Sequence, residues 1–163
     1  EKGLNIVTVP TTRNHTNAVN PAIKSLNYLN NILAKIEATN AGCVEAIMLN
    51  HEGFVAECTG DNVFMLKDDK MYTPPLAAGA LHGITRGVAV DLAEANGVKV
   101  SEPNLTRYDL YNADEVFITG TAAEVVPVVK IDGRQIGRGK PGKLTKKLMK
   151  AYQHLTNSTG QAI

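Results

Sequence analysis

The sequence predicts a mixed α/β domain in which β-hairpins alternate with single helices. Apolar segments at 45–49 and 54–57 flank the turn signal Asn50-His51-Glu52-Gly53, which indicates a β-hairpin. A second hairpin pattern surrounds Asp68-Asp69-Lys70. Before and after these hairpins lie helical patterns with apolar residues three and four positions apart. Hairpins interleaved with single helices are typical of a mixed α/β domain, not of a doubly wound sheet.

The individual elements follow from apolar periodicity and from Gly and Pro punctuation. The predicted strands are 4–9, 45–49, 54–57, 62–67, 71–73, 98–100, 115–119 and 125–131. The predicted helices are 25–41, 83–97, 105–112 and 143–155. In the first helix the apolar positions form one face of an amphipathic pattern: Leu26, Leu29, Ile32, Leu33 and Ile36. The polar end of the chain from Asn157 is expected to fray.

Composition narrows the class of protein. The 163 residues fit one domain, and 17 basic against 16 acidic residues give a net charge of +1. The basic cluster on the last helix is typical of a solvated helix face, so no nucleic-acid partner is indicated. No apolar segment is long enough to span a bilayer, so no membrane is indicated either. Two cysteines without a disulfide or metal spacing suggest a reducing cytoplasm. Four scattered histidines predict no metal site.

Lys24 is the first candidate for chemistry. It follows the apolar pair Ala22 and Ile23 and precedes the first helix, with the phenol of Tyr28 predicted one turn into that helix. Apolar neighbours could desolvate such an amine and adapt it to nucleophilic use. A solvated loop lysine is the ordinary alternative.

Two turns have the composition of anion-binding elements. Gly83-Ile84-Thr85 opens a helix, where free backbone N–H groups, the helix dipole and a hydroxyl favour a phosphate. Gly120-Thr121-Ala122-Ala123 follows a strand, and its small residues allow backbone amides to approach an anion. Taken singly, a plain helix cap and a tight strand connection explain them equally well.

Glu57 ends an apolar strand among small residues, where a carboxylate can pair with a buried cation or simply face outward. An amine, a phenol, a strand-end carboxylate and two anion-binding turns together favour pyridoxal phosphate. That cofactor needs an amine for covalent attachment, a donor to its phenolate oxygen, a carboxylate at its pyridine nitrogen and a phosphate cradle.

Five motifs in fixed order extend this interpretation over nearly the whole chain: KSLNYLNNILAKIEA, GFVAECTGDNVF, LHGITR, DLYNADEVFITGTAAEVVPV and IDGRQIGRGKPGKLT. Together they resemble branched-chain amino-acid aminotransferases of fold type IV, whose relatives include D-amino-acid aminotransferases and aminodeoxychorismate lyases. The resemblance implies the D-amino-acid aminotransferase-like fold, with a hairpin-rich pseudo-barrel sheet flanked by helices. It also implies a pyridoxal 5′-phosphate cofactor and the transfer of amino groups from Leu, Ile or Val to 2-oxoglutarate.

The resemblance assigns three residues to the reacting part of the cofactor. Lys24 matches the lysine that holds the cofactor covalently and then moves the proton at the substrate Cα. Tyr28 matches the tyrosine that hydrogen-bonds the phenolic oxygen. Glu57 matches the glutamate that keeps the pyridine nitrogen protonated.

Five further positions match the family's cradle for the rest of the cofactor and for the substrate. Leu81 matches a residue that packs on the ring. Ile84 and Thr85 match the phosphate-binding turn, and Thr121 matches a second phosphate contact. The amides of Thr121 and Ala122 match those that receive the substrate carboxylate.

Two departures from the family pattern remain. Cys58 stands where the family usually has glycine, so a thiol is expected near the cofactor ring. No segment matches the family's N-terminal small domain, which supplies a phosphate-binding arginine and much of the side-chain pocket. Residues 1–163 are therefore expected to be the large, cofactor-carrying C-terminal domain of a longer protein, inactive alone and at least dimeric when intact. The first residue, Glu1 and not Met, agrees with that expectation.

Three alternatives stay open. A D-amino-acid aminotransferase and an aminodeoxychorismate lyase would share the fold and the motifs. A non-catalytic domain that binds phosphorylated ligands would use the two turns but would not need Lys24, Tyr28 and Glu57 together.

Overall fold

A computed structural model describes residues 2–159. Nine strands form one sheet: Leu4–Thr8 (β1), Ala46–Leu49 (β2), Val55–Cys58 (β3), Asn62–Lys67 (β4), Lys70–Tyr72 (β5), Val100–Ser101 (β6), Glu115–Gly120 (β7), Glu124–Ile131 (β8) and Arg134–Gln135 (β9). The helices are Leu29–Asn40 (α1), Ile84–Ala95 (α2), Arg107–Tyr111 (α3) and Lys143–Ser158 (α4). The antiparallel pairs β2–β3 and β4–β5 confirm the two predicted hairpins.

The sheet curls because of how its strands are connected. The strand order is β3-β2-β1-β8-β7-β4-β5-β6, with β9 paired to β8, so β3 is at one edge and β4 is far from it. Only residues 59–61 link β3 to β4. A link this short requires the sheet to bend until its β3 edge approaches β4, and a cavity opens where the two meet.

Both faces of the curled sheet are buried. Along β4, Val63 and Met65 belong to one apolar cluster, whereas Phe64 and Leu66 belong to another that packs under α2 and α4. This alternation follows from the two-residue period of a strand. Phe64 stacks on Phe117 of β7, with ring centroids 4.8 Å apart. The sheet is therefore a rigid support for the residues at its strand ends.

Helix α1 differs from its prediction in two respects. It begins at Leu29 and not at Ser25, so Tyr28 is its N-cap residue and Lys24 lies in the preceding loop. The backbone N–H of Asn27 donates to Oγ of Ser25, and such local side-chain bonds compete with helix formation.

The second difference is the direction of the apolar face. Leu29, Ile32, Leu33 and Ile36 are exposed, whereas the side turned to the sheet carries Asn31, Ala34 and Ala38. Small residues allow the helix to approach the sheet closely, and they leave the larger apolar side chains on the outside.

The last helix is longer than predicted. Helix α4 continues to Ser158, whose hydroxyl donates to the carbonyl of His154. It therefore includes Asn157 and Ser158, the first two residues of the predicted tail. Residues 160–163 of the predicted tail lie outside the described residues. Within 2–159, no helix is both long and apolar enough to cross a membrane.

Glu115 at the start of β7 anchors the first turn of α4. Its carboxylate accepts from the backbone N–H groups of Leu144 and Thr145, at 3.2 and 2.8 Å, and from the Thr145 hydroxyl at 2.6 Å. Gly142 gives this carboxylate room, because a Cβ there would lie 1.8 Å from Cδ of Glu115. A carboxylate therefore replaces the N-cap side chain that Gly142 lacks.

We expect Glu115→Ala to lower the free energy of unfolding by about 1–2 kcal/mol, the usual cost of losing a helix cap. Urea denaturation followed by circular dichroism measures this. The matched control is Glu94→Ala, since Glu94 is exposed on α2. Equal stability of the two variants would show that the carboxylate does not anchor α4.

Candidate active site

An open cavity of about 850 Å³ lies where the β3 edge approaches β4. Seven of the eight residues predicted for the site line it: Lys24, Tyr28, Glu57, Leu81, Ile84, Thr85 and Thr121. They come from the loop before α1, the end of β3, the start of α2 and the turn after β7. Ala122 is exposed and is not among the lining residues.

Glu57 is held on the cavity floor by three donors. Its Oε1 accepts from Nη2 of Arg13 at 2.5 Å, and its Oε2 accepts from Nδ2 of Asn62 at 3.1 Å and the backbone N–H of Leu81 at 2.9 Å. Burial raises the pKa of Glu57 above its ordinary value, and the Arg13 guanidinium opposes that shift. An ionised carboxylate has about four acceptor sites, so Glu57 can accept one more hydrogen bond from a ligand.

Arg13 was not predicted from the sequence, and its hydrogen bonds hold several parts of the site together. It is buried, and besides Glu57 it donates to Oδ1 of Asn31 at 2.5 Å and to the carbonyl of Gly79 at 3.1 Å. These bonds connect the loop after β1, α1 and the turn before α2 to the floor carboxylate. The guanidinium thus fixes the position of Glu57 and balances its charge.

Lys24 and Tyr28 reach the cavity from the loop before α1. Lys24 is exposed, and its apolar neighbour Ile23 is exposed too, so in the chain by itself the amine is a solvated loop lysine, as in the ordinary alternative. The Tyr28 hydroxyl donates to the carbonyl of Thr59 at 2.5 Å. Partial burial raises the pKa of Tyr28, so its phenol remains a donor at neutral pH.

The start of α2 has the features of an anion site. Its N-cap residue, Gly83, provides no side-chain hydrogen bond, so the first-turn N–H groups have no side-chain cap. Thr119, at the end of β7, is one of the residues that line the cavity, and its Oγ1 is buried without a hydrogen-bond partner. Buried hydroxyls in proteins are normally paired. These donors suit a phosphate placed between α2 and β7.

Two glycines keep this part of the cavity open. A Cβ on Gly83 would lie 2.3 Å from Oδ1 of Asn62, and one on Gly120 would lie 2.1 Å from Oδ1 of Asp61. Both distances are far below van der Waals contact. Any side chain at either position would displace a residue of the cavity wall.

Cys58 does not meet the expectation of a thiol near the ring. Successive strand residues face opposite sides, so Cys58 points away from Glu57 into the apolar core and is fully buried. Burial raises the pKa of its thiol well above the ordinary value, which keeps it protonated and unreactive. Elsewhere in residues 2–159, no group of three His, Cys, Asp or Glu side chains is arranged to hold a metal.

Asp61 forms a carboxyl pair with Glu45 at the cavity wall. Glu45 is buried and accepts from the backbone N–H and hydroxyl of Thr59, and Nζ of Lys35 lies 3.2 Å from it. Burial and then the Glu45 carboxylate raise the pKa of Asp61 to about 6. Since the folded state holds this proton more tightly than the unfolded state, stability falls as the pH rises from about 4 through 6.

We expect Asp61→Asn to remove this loss of stability with rising pH. Because Asp61 is partly exposed, screening reduces the effect, and the variant should gain about 1 kcal/mol of unfolding free energy at pH 7.5 and nothing at pH 4. Urea denaturation at the two pH values measures it. Asp91→Asn, at an exposed position of α2, is the control. A gain of the same size at both pH values would contradict the carboxyl pair.

The comparisons with known proteins agree with this geometry. The family described as amino-transferase class IV matches residues 1–131. The chain belongs to the class IV aminotransferase family. A branched-chain-amino-acid aminotransferase of Pseudomonas aeruginosa is 45% identical over 163 residues, which cover 99% of this chain and 53% of that protein.

Solved structures of class IV aminotransferases have the same fold. The branched-chain amino acid aminotransferase of Escherichia coli superposes with a TM-score of 0.93 at 40% identity, over 95% of this chain and 52% of that one. The T.th. branched-chain amino acid aminotransferase, complexed with N-(5′-phosphopyridoxyl)-L-glutamate, gives a TM-score of 0.91 at 42% identity, over 94% and 51% of the two chains. The predicted fold is thereby confirmed. The chain spans about half the length of the relatives it matches.

Proposed function

We propose that this domain binds pyridoxal 5′-phosphate in the cavity and that the whole protein is a branched-chain amino-acid aminotransferase. The donor would be Leu, Ile or Val, and the acceptor 2-oxoglutarate. The observation that carries the proposal is the convergence of Lys24, Tyr28 and the Arg13-paired Glu57 on one cavity beside an uncapped helix start. The names of the relatives and the phosphopyridoxyl ligand of the T.th. structure support it.

When bound, pyridoxal phosphate supplies an electron sink for the negative charge that develops at the substrate Cα. Nζ of Lys24 is the proposed point of covalent attachment and the carrier of the Cα proton. Glu57 presents a carboxylate oxygen to the pyridine nitrogen, held in place by Arg13. The Tyr28 hydroxyl donates to the Thr59 carbonyl in this structure, and it would turn from that carbonyl to donate to the phenolic oxygen of the bound cofactor.

The remaining residues position the two ends of the ligand. The first-turn N–H groups at Ile84 and Thr85, with the hydroxyls of Thr85 and Thr121, hold the phosphate. Thr119 adds a buried hydroxyl on the same side. Leu81 packs on the ring, and the amides of Thr121 and Ala122 receive the substrate carboxylate.

We propose further that residues 1–163 are the cofactor-carrying domain and that a second domain completes the substrate pocket. The exposure of Lys24 and Tyr28 supports this, because a reacting site needs its water excluded. By itself the chain should bind the cofactor weakly and turn over little or no substrate. The intact protein is proposed to be at least a homodimer and, since Cys43 and Cys58 are both free thiols, cytoplasmic.

The test is a titration with pyridoxal phosphate followed by single amino acids. The family-length protein, meaning this domain joined to the remaining half that its relatives have, should gain a visible absorbance band. L-leucine should bleach that band, whereas D-alanine should not. Bleaching by D-alanine alone would favour a D-amino-acid aminotransferase, and a family-length protein without any band would contradict the proposal.

A further inference from the structure

Asn62 joins two parts of the candidate active site that come from different elements. It is the first residue of β4 and is only 6% exposed. Its Nδ2 donates to Oε2 of Glu57 at 3.1 Å and to the carbonyl of Leu81 at 2.9 Å. Glu57 lies on the cavity floor, whereas Leu81 leads into the first turn of α2. One amide group therefore bonds to both parts.

Leu81 completes a closed set of hydrogen bonds with this amide. Its backbone N–H donates to the same Oε2 of Glu57 at 2.9 Å, across 24 positions of the sequence. Its carbonyl accepts from the backbone N–H of Gly83, the N-cap residue of α2, as well as from Asn62. The segment that leads into α2 is thus attached to Glu57 both directly and through Asn62.

The Asn62 side chain also limits how closely α2 approaches the cavity floor. A Cβ on Gly83 would lie 2.3 Å from Oδ1 of Asn62, so the amide lies directly against the start of the helix. The hydrogen bonds oppose movement of α2 away from the floor, and this contact opposes movement toward it. Asn62 therefore restrains the helix start in both directions.

The strand that carries Asn62 is a rigid support. β4 lies between β5 and β7 in the sheet, and Asn62 is paired with Thr119 of β7. Side chains alternate along a strand, so Asn62 shares a face with Phe64, which packs under α2, whereas Val63 faces the other apolar cluster. A side chain on a paired strand holds its neighbours more precisely than a side chain on a loop.

The contribution of Asn62 is geometric and not electrostatic. Arg13 already balances the charge of Glu57, and it connects Glu57 to the carbonyl of Gly79, which lies farther from α2 than Leu81 does. The amide of Asn62 is neutral and adds no charge. What it adds is a defined separation between the Glu57 carboxylate and the first turn of α2.

That separation matters for a ligand that is itself rigid. In the proposed function, Glu57 meets the pyridine nitrogen, and the N–H groups at Ile84 and Thr85 hold the phosphate. One aromatic ring joins these two ends of pyridoxal phosphate, so the distance between them is nearly constant. Two binding elements at the matching distance act together, because binding of one end raises the effective concentration of the other. Such gains require the elements to be held within about 0.5 Å of the productive geometry.

We propose that Asn62 is a positioning residue that sets the distance between the Glu57 carboxylate and the first turn of α2. The cavity thereby favours a ligand with a pyridine nitrogen and a phosphate on one ring over ligands with either group alone. This inference rests on the proposed function, since it assumes that the two groups bind at these two places. Asn62 acts through Glu57 and through the segment from Leu81 to Gly83.

The test uses three probes that cannot attach to Lys24, because they lack an aldehyde: 4-deoxypyridoxine 5′-phosphate, 4-deoxypyridoxine and inorganic phosphate. Asn62→Leu in the family-length protein removes both hydrogen bonds at nearly constant size and adds no charge. Calorimetry should show the Kd of 4-deoxypyridoxine 5′-phosphate rising about 10–100-fold. The Kd of 4-deoxypyridoxine should rise less, and ³¹P NMR should show the Kd of inorganic phosphate within about twofold of the wild type, because α2 itself is intact.

The matched control is Asn96→Leu. Nδ2 of Asn96 donates to the Leu92 carbonyl at the opposite end of α2, so this variant loses a similar bond far from the cavity floor. It should leave all three Kd values within about twofold of the wild type. Asn62→Ala, which introduces no larger side chain, should reproduce the pattern of Asn62→Leu, so that the test does not depend on the folding of one variant.

Hydrogen exchange of the cofactor-free protein provides a measurement that does not depend on binding. Asn62→Leu should accelerate exchange of the backbone amides in 81–87 at least ~10-fold and leave those of α4 unchanged. Asn96→Leu should not accelerate exchange in 81–87.

Equal losses for 4-deoxypyridoxine with and without its phosphate would overturn the proposal, since Asn62 would then orient Glu57 alone. An equal loss for inorganic phosphate, or unchanged exchange in 81–87, would also overturn it. A wild-type protein that does not bind 4-deoxypyridoxine 5′-phosphate at all would instead overturn the proposed function, and this inference with it.

Discussion

Replacing Lys24 with alanine is expected to abolish covalent capture of pyridoxal phosphate and to lower transamination by the family-length protein by at least ~10³-fold. The reason is that one amine has two proposed roles, since Nζ of Lys24 both attaches the cofactor and carries the Cα proton. Among the residues that line the cavity, Lys24 is the one lysine. Single-turnover kinetics with L-leucine, monitored by visible absorbance, measure the loss.

The matched control is Lys67→Ala. Lys67 is partly exposed at the end of β4 and pairs with Asp114 at 3.2 Å, and it is not among the residues that line the cavity. Its removal should leave both absorbance and turnover within about twofold of the wild type, because an exposed ion pair contributes little. Equal losses in the two variants would point to general destabilisation, and undiminished turnover in Lys24→Ala would refute the role of this amine.

Replacing Arg13 with methionine should lower the free energy of unfolding by about 3–5 kcal/mol at pH 8, because it leaves the Glu57 carboxylate buried without its cation. Both side chains of the pair are more than nine-tenths buried. The cost should also be large because Arg13 donates to Asn31 and Gly79, whose oxygens would lose their partner. Urea denaturation of the 163-residue chain measures this difference.

The pH dependence of that loss separates charge from packing. Burial already raises the pKa of Glu57 above its ordinary value, and without Arg13 it should rise further. A raised folded-state pKa gives stability that is present at low pH and lost as pH rises through that pKa. The difference in unfolding free energy between Arg13→Met and the wild type should therefore increase from pH 5 to pH 8.

The double variant Arg13→Met with Glu57→Gln provides the control for this pair. Removing the charge on both sides should recover part of the lost stability, as it does for other buried ion pairs. The ion pair does not position Glu57 if the double variant loses as much unfolding free energy as the two single variants together. The same conclusion follows if the difference between Arg13→Met and the wild type does not change with pH.

The candidate site residues were predictable from the sequence because their local contexts occur together and in the order of one family's motifs, although each context alone has an ordinary explanation. A lysine before a helix, a glutamate at the end of an apolar strand and glycine-rich turns at element boundaries are all local features. The structure places Lys24, Glu57, Thr85 and Thr121 around one cavity. Their proposed roles toward a cofactor remain predictions.

Arg13 could not be predicted, because its importance depends on long-range contacts. It lies in a polar loop, 44 positions before Glu57, and nothing local distinguishes it from a solvated arginine. Thr119 is similar, since only the pairing of β7 with β4 places it opposite Asn62 on the cavity floor. The sequence contains no signal for that register.

The orientation of α1 could not be predicted from the sequence, for a different reason. Spacing at three and four positions shows that Leu29, Ile32, Leu33 and Ile36 share a face, but not which surface covers that face. Alanines on the opposite side allow the helix to sit closer to the sheet. An apolar stripe thus predicts burial in the assembled protein and not necessarily within one chain.

The central claim is that Lys24 is the amine to which pyridoxal phosphate attaches in this cavity. Borohydride reduction of the family-length protein with the cofactor, followed by peptide mass mapping, tests it most directly. The predicted result is one phosphopyridoxyl label, on the peptide that contains Lys24. A label confined to other lysines, or no label at all, would contradict the account.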